Sequence, residues 1–324
     1  VTDLHQHTVF SDGSVWPDIR VMEALREGLD AISLTEHLEY QPHASDIPHP
    51  DRNRSYQLAL EEARDHKLIV INGSEITRDA PIGHSNAIFI KDANQLLNET
   101  AETSFREANK QGAFIFWNHS AWSSPERYGI ATLSEFHLEA IERGQLHGIE
   151  VANWDNLSEE AFQIALDHDL TVLGVSDVHE LIDWDYEPHT GGHRPVTLAL
   201  VEERSEDGLK KALFDGRTVV WYRNTLLGRA RDVQPVLEAS ITVDEAYYAG
   251  DEKLARVTLR NDSDARFLLS NETGYSFEDG AGVVELPANG TLRLGIRTKE
   301  ALEQFNLTFR VLNALIAPGS PATV

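Results

Sequence analysis

Up to about Gly228 the chain alternates short apolar runs with stretches of helical period. The runs include Val1 to Leu4, Asp30 to Leu34, Leu68 to Ile71, Ala87 to Ile90, Ala113 to Trp117, Gly148 to Val151, Thr171 to Val175 and Val196 to Val201. Between them, Ile19, Met22, Leu25 and Leu29 recur at spacings of three and four, behind Pro17 at a first helical position. Gly28 reads as that helix's stop, and Asn156-Leu-Ser-Glu159 as a capping-box variant before Ala161, Ile164 and Ala165. Ser205 and Gly216 bracket a further short helix. Strands that alternate with helices predict a mostly parallel sheet or barrel. After Gly228 the pattern changes to strand-like runs, Ala239 to Val243, Ala255 to Leu259, Arg266 to Leu269, Val283 to Leu286, Thr291 to Ile296 and Phe305 to Leu312. Turn signals such as Asp279-Gly280 and Asn289-Gly290 separate them, which predicts a small antiparallel sandwich. The expected domains are residues 1–228 and 229–324.

Composition narrows the chemistry. The 324 residues contain no cysteine, which excludes disulfides and thiolate metal sites. The formal net charge of −25 disfavours binding to duplex nucleic acid, and no apolar run is long enough to span a bilayer. Bound divalent cations would still invert the potential within their own site, so an anionic substrate remains open. Val1 is not an initiator residue; together with the acidity and the sandwich this leads us to expect a periplasmic or secreted protein with its export signal removed, the alternative being cytoplasmic.

All fourteen histidines lie at or before His193. His5 and His7 close the first apolar run, His37 follows the second, Glu75 the third, His119 the run ending at Trp117, and Asp177 and His179 the run ending at Val175. Five predicted strands thus end in a metal-competent residue, and in a parallel barrel the carboxyl ends share one rim. His-x-His and Asp-x-His on strands direct both side chains to one face. This pattern predicts a site for several metal ions.

At these residues the chain resembles the PHP (polymerase and histidinol phosphatase) family of metal-dependent phosphoesterases. Asp3-Leu-His-Gln-His7-Thr, Ser11-Asp12-Gly13 and Gly28 through Thr35-Glu36-His37 are similar to its first motifs. Gly73-Ser-Glu75, Gly83-His84, Asn118-His119 and Ser176-Asp177-Val-His179 are similar to the others. The resemblance covers roughly residues 1–222 and implies a distorted (β/α)7 barrel with three metal ions. It implies that His5, His7, Glu75 and Asp177 hold the first ion. Glu75 would bridge to a second, held also by His84 and His119, and Asp12, His37 and His179 would hold the third. Two positions depart from the family pattern, Glu36 for the usual Asp and Ser120 for the common Pro. Six imidazoles and three carboxylates suit zinc, manganese or iron without choosing among them.

The resemblance implies hydrolysis of a small phosphoester by in-line attack of a hydroxide held between two ions, with Glu75, Asp177 and His179 as the catalytic set. Arg78, His193 and Arg194 are candidates for gripping the substrate phosphate, since a guanidinium binds it in two-pronged fashion. Tyr40, Trp122 and Trp184 are candidates for stacking on an aromatic group. The reading leans to phosphodiesters because the chain has no basic cluster to grip a dianionic monoester. The alternatives are a phosphomonoesterase acting on nucleotides or sugars and, from another class, a binding or assembly protein with a vestigial barrel.

Overall fold

In the computed structural model, which describes residues 1–122, 129–248, 250 and 253–324, the chain divides into Val1–Arg223 and Asn224–Val324. The first unit runs β1 (Thr2–Asp3), α1 (Pro17–Glu27), β2 (Ala31–Leu34), α2 (Arg54–Glu62), β3 (Ile69–Ile76), β4 (Ser85–Ile88), α3 (Ala101–Lys110), β5 (Phe114–Trp117), α4 (Glu135–Glu142), β6 (Gly148–Asn153), β7 (Asn156–Leu157), α5 (Glu159–Asp167), β8 (Thr171–Val175), α6 (Ile182–Asp185), β9 (Val196–Ala199), α7 (Glu206–Phe214) and β10 (Thr218–Tyr222). Pro17 opens α1 and Gly28 ends it at φ 73°, a left-handed turn that favours glycine. The cap of α5 is Ser158, whose hydroxyl accepts the Ala161 N–H at 3.0 Å; Asn156, expected to cap, is instead paired in the β6–β7 hairpin.

Among the described residues β1, β2, β3, β4, β5, β6 and β8 follow one another around a distorted barrel. The ring closes where the chain beyond β1 meets the chain beyond β8: Gln6 bridges Val178 in parallel, and Asp177 N–H donates to the His5 carbonyl at 2.9 Å. The strands are parallel except β4, which runs against both β3 and β5. The connection from β3 to β4 is shorter than the roughly dozen residues a parallel crossover needs, so the chain doubles back. Strands β9 and β10 add an antiparallel flank to β1. One core cluster joins Leu4, Ile71, Phe114, Phe116 and Leu173 to Leu209 and Leu213 of α7. A second packs Val21 and Ala24 of α1 and Ala59 of α2 against Ile32, Leu34 and Val70.

The second unit is all-β apart from α8 (Ala230–Ser240), which follows β11 (Thr225–Gly228). The run expected as a strand from Ala239 is helical as far as Ser240, because Val233, Leu237 and Ser240 bury one face at three- and four-residue spacing. The strands are β12 (Ile241–Tyr248), β13 (Leu254–Asn261), β14 (Phe267–Asn271), β15 (Ser276–Phe277), β16 (Val283–Leu286), β17 (Thr291–Arg297), β18 (Phe309–Ala317) and β19 (Ser320–Thr323). One sheet is ordered β12-β13-β17-β15; in the other, β16, β14 and β18 are neighbours in that order, with β19 and β11 also paired to β18. Among the described residues no helix is long and apolar enough to cross a membrane.

Two histidines brace the first unit in neutral form. His147 Nδ1 accepts the Ile115 N–H at 2.9 Å. His137 Nδ1 accepts the Ser134 N–H at 3.1 Å at the start of α4, and its ring stacks on Trp117 at 4.0 Å. Burial lowers both pKa values to about 4. An unfolded histidine titrates near 6.5, so the stabilisation is complete above about pH 6.5 and is lost as pH falls toward 4. Denaturant melts of chelator-treated protein will show this loss, and His137→Gln/His147→Gln will flatten it by about 2 kcal/mol per ring between pH 7 and 4. Parallel pH profiles for wild type and variant would show instead that the rings are hydrated.

Candidate metal centre

The strand pairings gather the ligand-type residues on one rim. Strand period two gives His5 and His7 a common face, and barrel closure sets them beside Asp177 and His179. His37, three residues beyond β2, bridges Glu75 near the end of β3. His84 precedes β4 and His119 follows β5. Asp12 lies on a loop that turns back at Gly13, where a Cβ would come within 2.7 Å of His7 and Thr8 backbone atoms. His119 (φ 25°) and Asp177 (φ 53°) hold left-handed backbone, a cost that non-glycine residues carry mostly at functional sites.

His5 Nε2 and His7 Nε2 are 3.0 Å apart and lie 3.1 and 3.2 Å from Asp177 Oδ1. Both face Glu75 Oε2, at 3.6 and 3.4 Å. A tetrahedral ion with bonds of about 2.0–2.1 Å needs ligand atoms roughly 3.3 Å apart, so the two imidazoles fit one cation together with either carboxylate oxygen. The other Glu75 oxygen, Oε1, faces His84 Nδ1 at 3.0 Å and His119 Nε2 at 3.6 Å. On the third side His179 Nε2 approaches Asp12 Oδ1 at 3.2 Å and His37 Nε2 approaches Asp12 Oδ2 at 3.5 Å. Glu75 Oε2 and Asp12 Oδ1 are buried and accept no hydrogen bond, as oxygens aimed at a cation would be. All nine residues thus meet in one cluster, seven of them lining a cleft and His5 and His7 buried behind it, and the donor set fits divalent ions.

The same carboxylates set the charge on the rings. Burial opposes a proton on His37, but Glu75 and Asp12 outweigh it and raise its pKa to about 11. His179 rises to about 9, where Asp12 and Asp177 overcome burial. Burial and the positive neighbour His179 push His7 down to about 3. Burial works against ionised Glu75, yet His37, His84 and His5 hold its carboxyl well below the usual range. The site is an anionic cradle that requires compensating positive charge.

A supporting layer orients the ligand-type residues; Ser11, Glu36 and Asn118 in it belong to the motifs quoted above, while Glu150 and Arg20 carry no motif. Glu150 Oε1 takes His5 Nδ1 at 2.7 Å and Oε2 takes the His119 N–H at 2.6 Å, which leaves Nε2 of His5 for the centre. Asn118 Nδ2 donates to Glu75 Oε1 at 2.7 Å. Buried Glu36 accepts the Thr8 and Ser11 hydroxyls and so holds the loop that carries Asp12. Arg20, fully buried, donates to the carbonyls of His7 (3.0 Å), Val178 (3.3 Å), His179 (2.9 Å) and Glu180 (2.7 Å) and to Glu23 (2.8 Å).

The substrate-binding candidates are not where expected. Arg194 is 1 % exposed and bonded to Asp3 and Glu27, beneath the rim. Its sequence position beside His193 suggests a phosphate clamp, but its guanidinium balances two carboxylates. Arg78 donates to Glu39, to the Thr77 and Asn98 carbonyls and to Ser104. His193 stacks on Trp221 at 4.1 Å and bonds the Arg194 carbonyl. None of the three lines the cleft of about 430 Å³ over the cluster, whose walls include Trp122, Asn153, Trp154, Asp155 and Asn156. Tyr40 touches the His37 ring edge-on at 5.9 Å, and Trp184 lies outside the cleft lining.

A buried cluster of imidazoles and carboxylates at the strand ends of an α/β barrel defines a metal-dependent hydrolase. Comparison with solved structures gives a full-length match. A two-domain protein from Bacteroides vulgatus ATCC 8482, containing a predicted PHP-like metal-dependent phosphoesterase, shares 38 % identity over 100 % of this chain and 93 % of its own, with a TM-score of 0.92. This chain belongs to that family of two-domain PHP-like metal-dependent phosphoesterases. More distant matches are a protein from Bifidobacterium adolescentis ATCC 15703 assigned as a metal-dependent phosphoesterase (19 % identity, 56 % of this chain and 88 % of that one, TM-score 0.43) and PsfC from Pseudomonas syringae PB-5123 (18 %, 68 % and 90 %, 0.47). Residues 241–324 match a family described as an Ig-like domain. No curated protein matches.

Removing the carboxylate behind His5 tests the supporting layer. Glu150→Gln will weaken the tightest bound divalent ion by about 10–100-fold in chelator competition, with the circular dichroism spectrum unchanged. An unchanged affinity would show that Glu150 does not orient His5.

Proposed function

We propose that the protein hydrolyses small phosphoesters, with a preference for diesters, at a centre of three divalent ions. The observation that carries this reading is Glu75. Its two oxygens face different imidazole sets, Oε2 toward His5, His7 and His37 and Oε1 toward His84 and His119, as a carboxylate shared between ions would. His5, His7, Glu75 and Asp177 would hold the first ion, Glu75, His84 and His119 the second, and Asp12, His37 and His179 the third. Such ions supply Lewis acidity and lower the pKa of water into the neutral range.

The chain's own residues prepare that chemistry. Glu75 and Asp177 remain carboxylates because imidazoles outweigh the cost of burying them. Glu150, Ser11 and the Asp177 carbonyl engage the Nδ1 atoms of His5, His7 and His179, so each presents Nε2 inward. Asn153 Nδ2 spans Glu150 and Asp177 and fixes the floor of the cleft. His179 and Asp12, the most exposed of the set, sit where a non-bridging phosphate oxygen would enter. Among the described lining residues no Arg or Lys meets the cleft, which supports an ester carrying one negative charge over one carrying two.

Metal-loaded protein will turn over an aryl diester with kcat/KM at least about tenfold above the matching aryl monoester; the reverse order would make it a phosphomonoesterase. Asp177→Asn and His119→Ala will each lower kcat by about 10²–10³-fold or more with native circular dichroism. Near-normal rates in both would remove the catalytic reading and favour a binding protein with a vestigial barrel.

A further inference from the structure

The second unit carries a groove of its own, about 540 Å³, on the outer face of the sheet β12-β13-β17-β15. Cross-strand pairing sets its floor. Tyr247, Arg256 and Gly295 lie in one row across β12, β13 and β17, and Glu245, Thr258 and Arg293 form the next. Strand β12 reaches this face through a bulge: Asp244 is extra between Val243, paired with Leu259, and Glu245, paired with Thr258. Side chains alternate along a strand, so the one added residue turns Glu245 and Tyr247 outward; without it Tyr247 would face the sandwich interior. The opposite wall is the turn after β15, where the Glu278 N–H donates to the Gly295 carbonyl at 2.7 Å. The groove stays open between these walls because Thr258 is short and Gly295 has no side chain.

The chemistry on offer is one exposed ring among hydrogen-bonding groups. Tyr247 is 49 % exposed, whereas the other apolar residues that border the groove, Val257, Phe277 and Leu294, are buried. A protein partner needs an apolar centre to its interface, and a single phenol does not supply one. Arg256 grips Glu278 through both terminal nitrogens, which fixes the two side chains in place. The side chains of Glu245 and Arg293 make no hydrogen bond or ion pair among the described residues, and so face the groove as an unspent acceptor and donor. Two guanidinium groups against the carboxylates of Glu245, Glu278 and Asp279 leave the groove close to neutral, in a chain whose net charge is −25. We propose that this groove binds a neutral oligosaccharide, one pyranose stacked on Tyr247 and its hydroxyls shared between Arg293 and Glu245. A pyranose with equatorial hydroxyls presents a flat C–H face to an aromatic ring, and each hydroxyl both donates and accepts. A uronic acid would meet the carboxylates and an amino sugar the arginines, each at the cost of like-charge contact. The inference is independent of the phosphoester reading, because the groove belongs to the second unit alone.

Isothermal titration calorimetry on the full chain tests this, with cellohexaose and xylohexaose as neutral probes and hexagalacturonate and the chitosan hexamer as charged ones. At least one neutral hexamer will bind with a Kd of about 1 mM or tighter. It will bind at least about fivefold more tightly than either charged hexamer. Tyr247→Ala will weaken that binding about tenfold or more, Arg293→Ala by about threefold or more, and Tyr247→Phe by less than about threefold because the ring remains. Both positions are exposed, so melting curves of the three variants will match that of the wild type and separate lost binding from lost folding. Failure of both neutral hexamers to bind, tighter binding of a charged hexamer, or wild-type affinity in Tyr247→Ala would overturn the proposal.

Discussion

One buried guanidinium fastens the barrel where the site is built. Arg20 sits on α1 and places each of its five N–H donors on an acceptor, four of them backbone carbonyls. Those carbonyls belong to His7, Val178, His179 and Glu180, the chain just beyond the barrel's first and last strands. The Gln6–Val178 bridge alone would close the ring over a very short pairing. Arg20 converts that seam into a fixed junction, and the junction sets the 4.3 Å stacking of His7 on His179. A lysine could not span four carbonyls from one position, because its donors radiate from a single nitrogen.

Beneath the seam lies a second fixed charge. Arg194 joins Asp3 to Glu27, and Asp3 in turn accepts the Ser176 hydroxyl at 2.6 Å and the Ser176 N–H at 3.0 Å. A buried carboxylate without such partners would cost several kcal/mol. Paired in this way, it ties β1 to the residue before Asp177. The rim is therefore rigid on the side of His5, His7, Asp177 and His179. The other side rests on Glu150, which accepts the His119 N–H at 2.6 Å, and on Asn118, which donates to Glu75 at 2.7 Å. Rigid placement matters because mutual repulsion among Asp12, Glu75 and Asp177 would otherwise spread the cluster.

The difference between what was legible in the sequence and what was not has a physical cause. His-x-His and Asp-x-His are visible because strand period two forces both side chains to one face, whatever the partner strand does. Helix α1 is visible because Pro17 and Gly28 act through their own backbone. Strand β4 reversed direction for a reason also present locally, the short link after Ile76, which the alternation of apolar runs concealed. Arg194 and Arg78 were misread because a side chain's direction depends on carboxylates far away in sequence, Asp3, Glu27 and Glu39. Glu150 and Arg20 carried no motif: one is a lone acid inside an apolar strand, the other a lone base on a helix face. An ionisable residue at a position that should be buried is itself a signal, and both stood at such positions.

Glu36 shows how a departure from the family pattern becomes intelligible once partners are known. Its carboxylate lies fully inside the protein, where burial raises its pKa against the hydroxyls of Ser11 and Thr8 that lower it. Its job is to accept three hydrogen bonds, the Thr8 N–H included, from the loop that delivers Asp12. An aspartate could do the same only with the loop drawn closer by about one methylene. The longer side chain therefore sets Asp12 at its present distance from His37 and His179, so a residue that is no ligand fixes the dimensions of the third group of ligands. Gly13 completes the constraint from the other side, since the loop can fold back over His7 only where no Cβ intervenes.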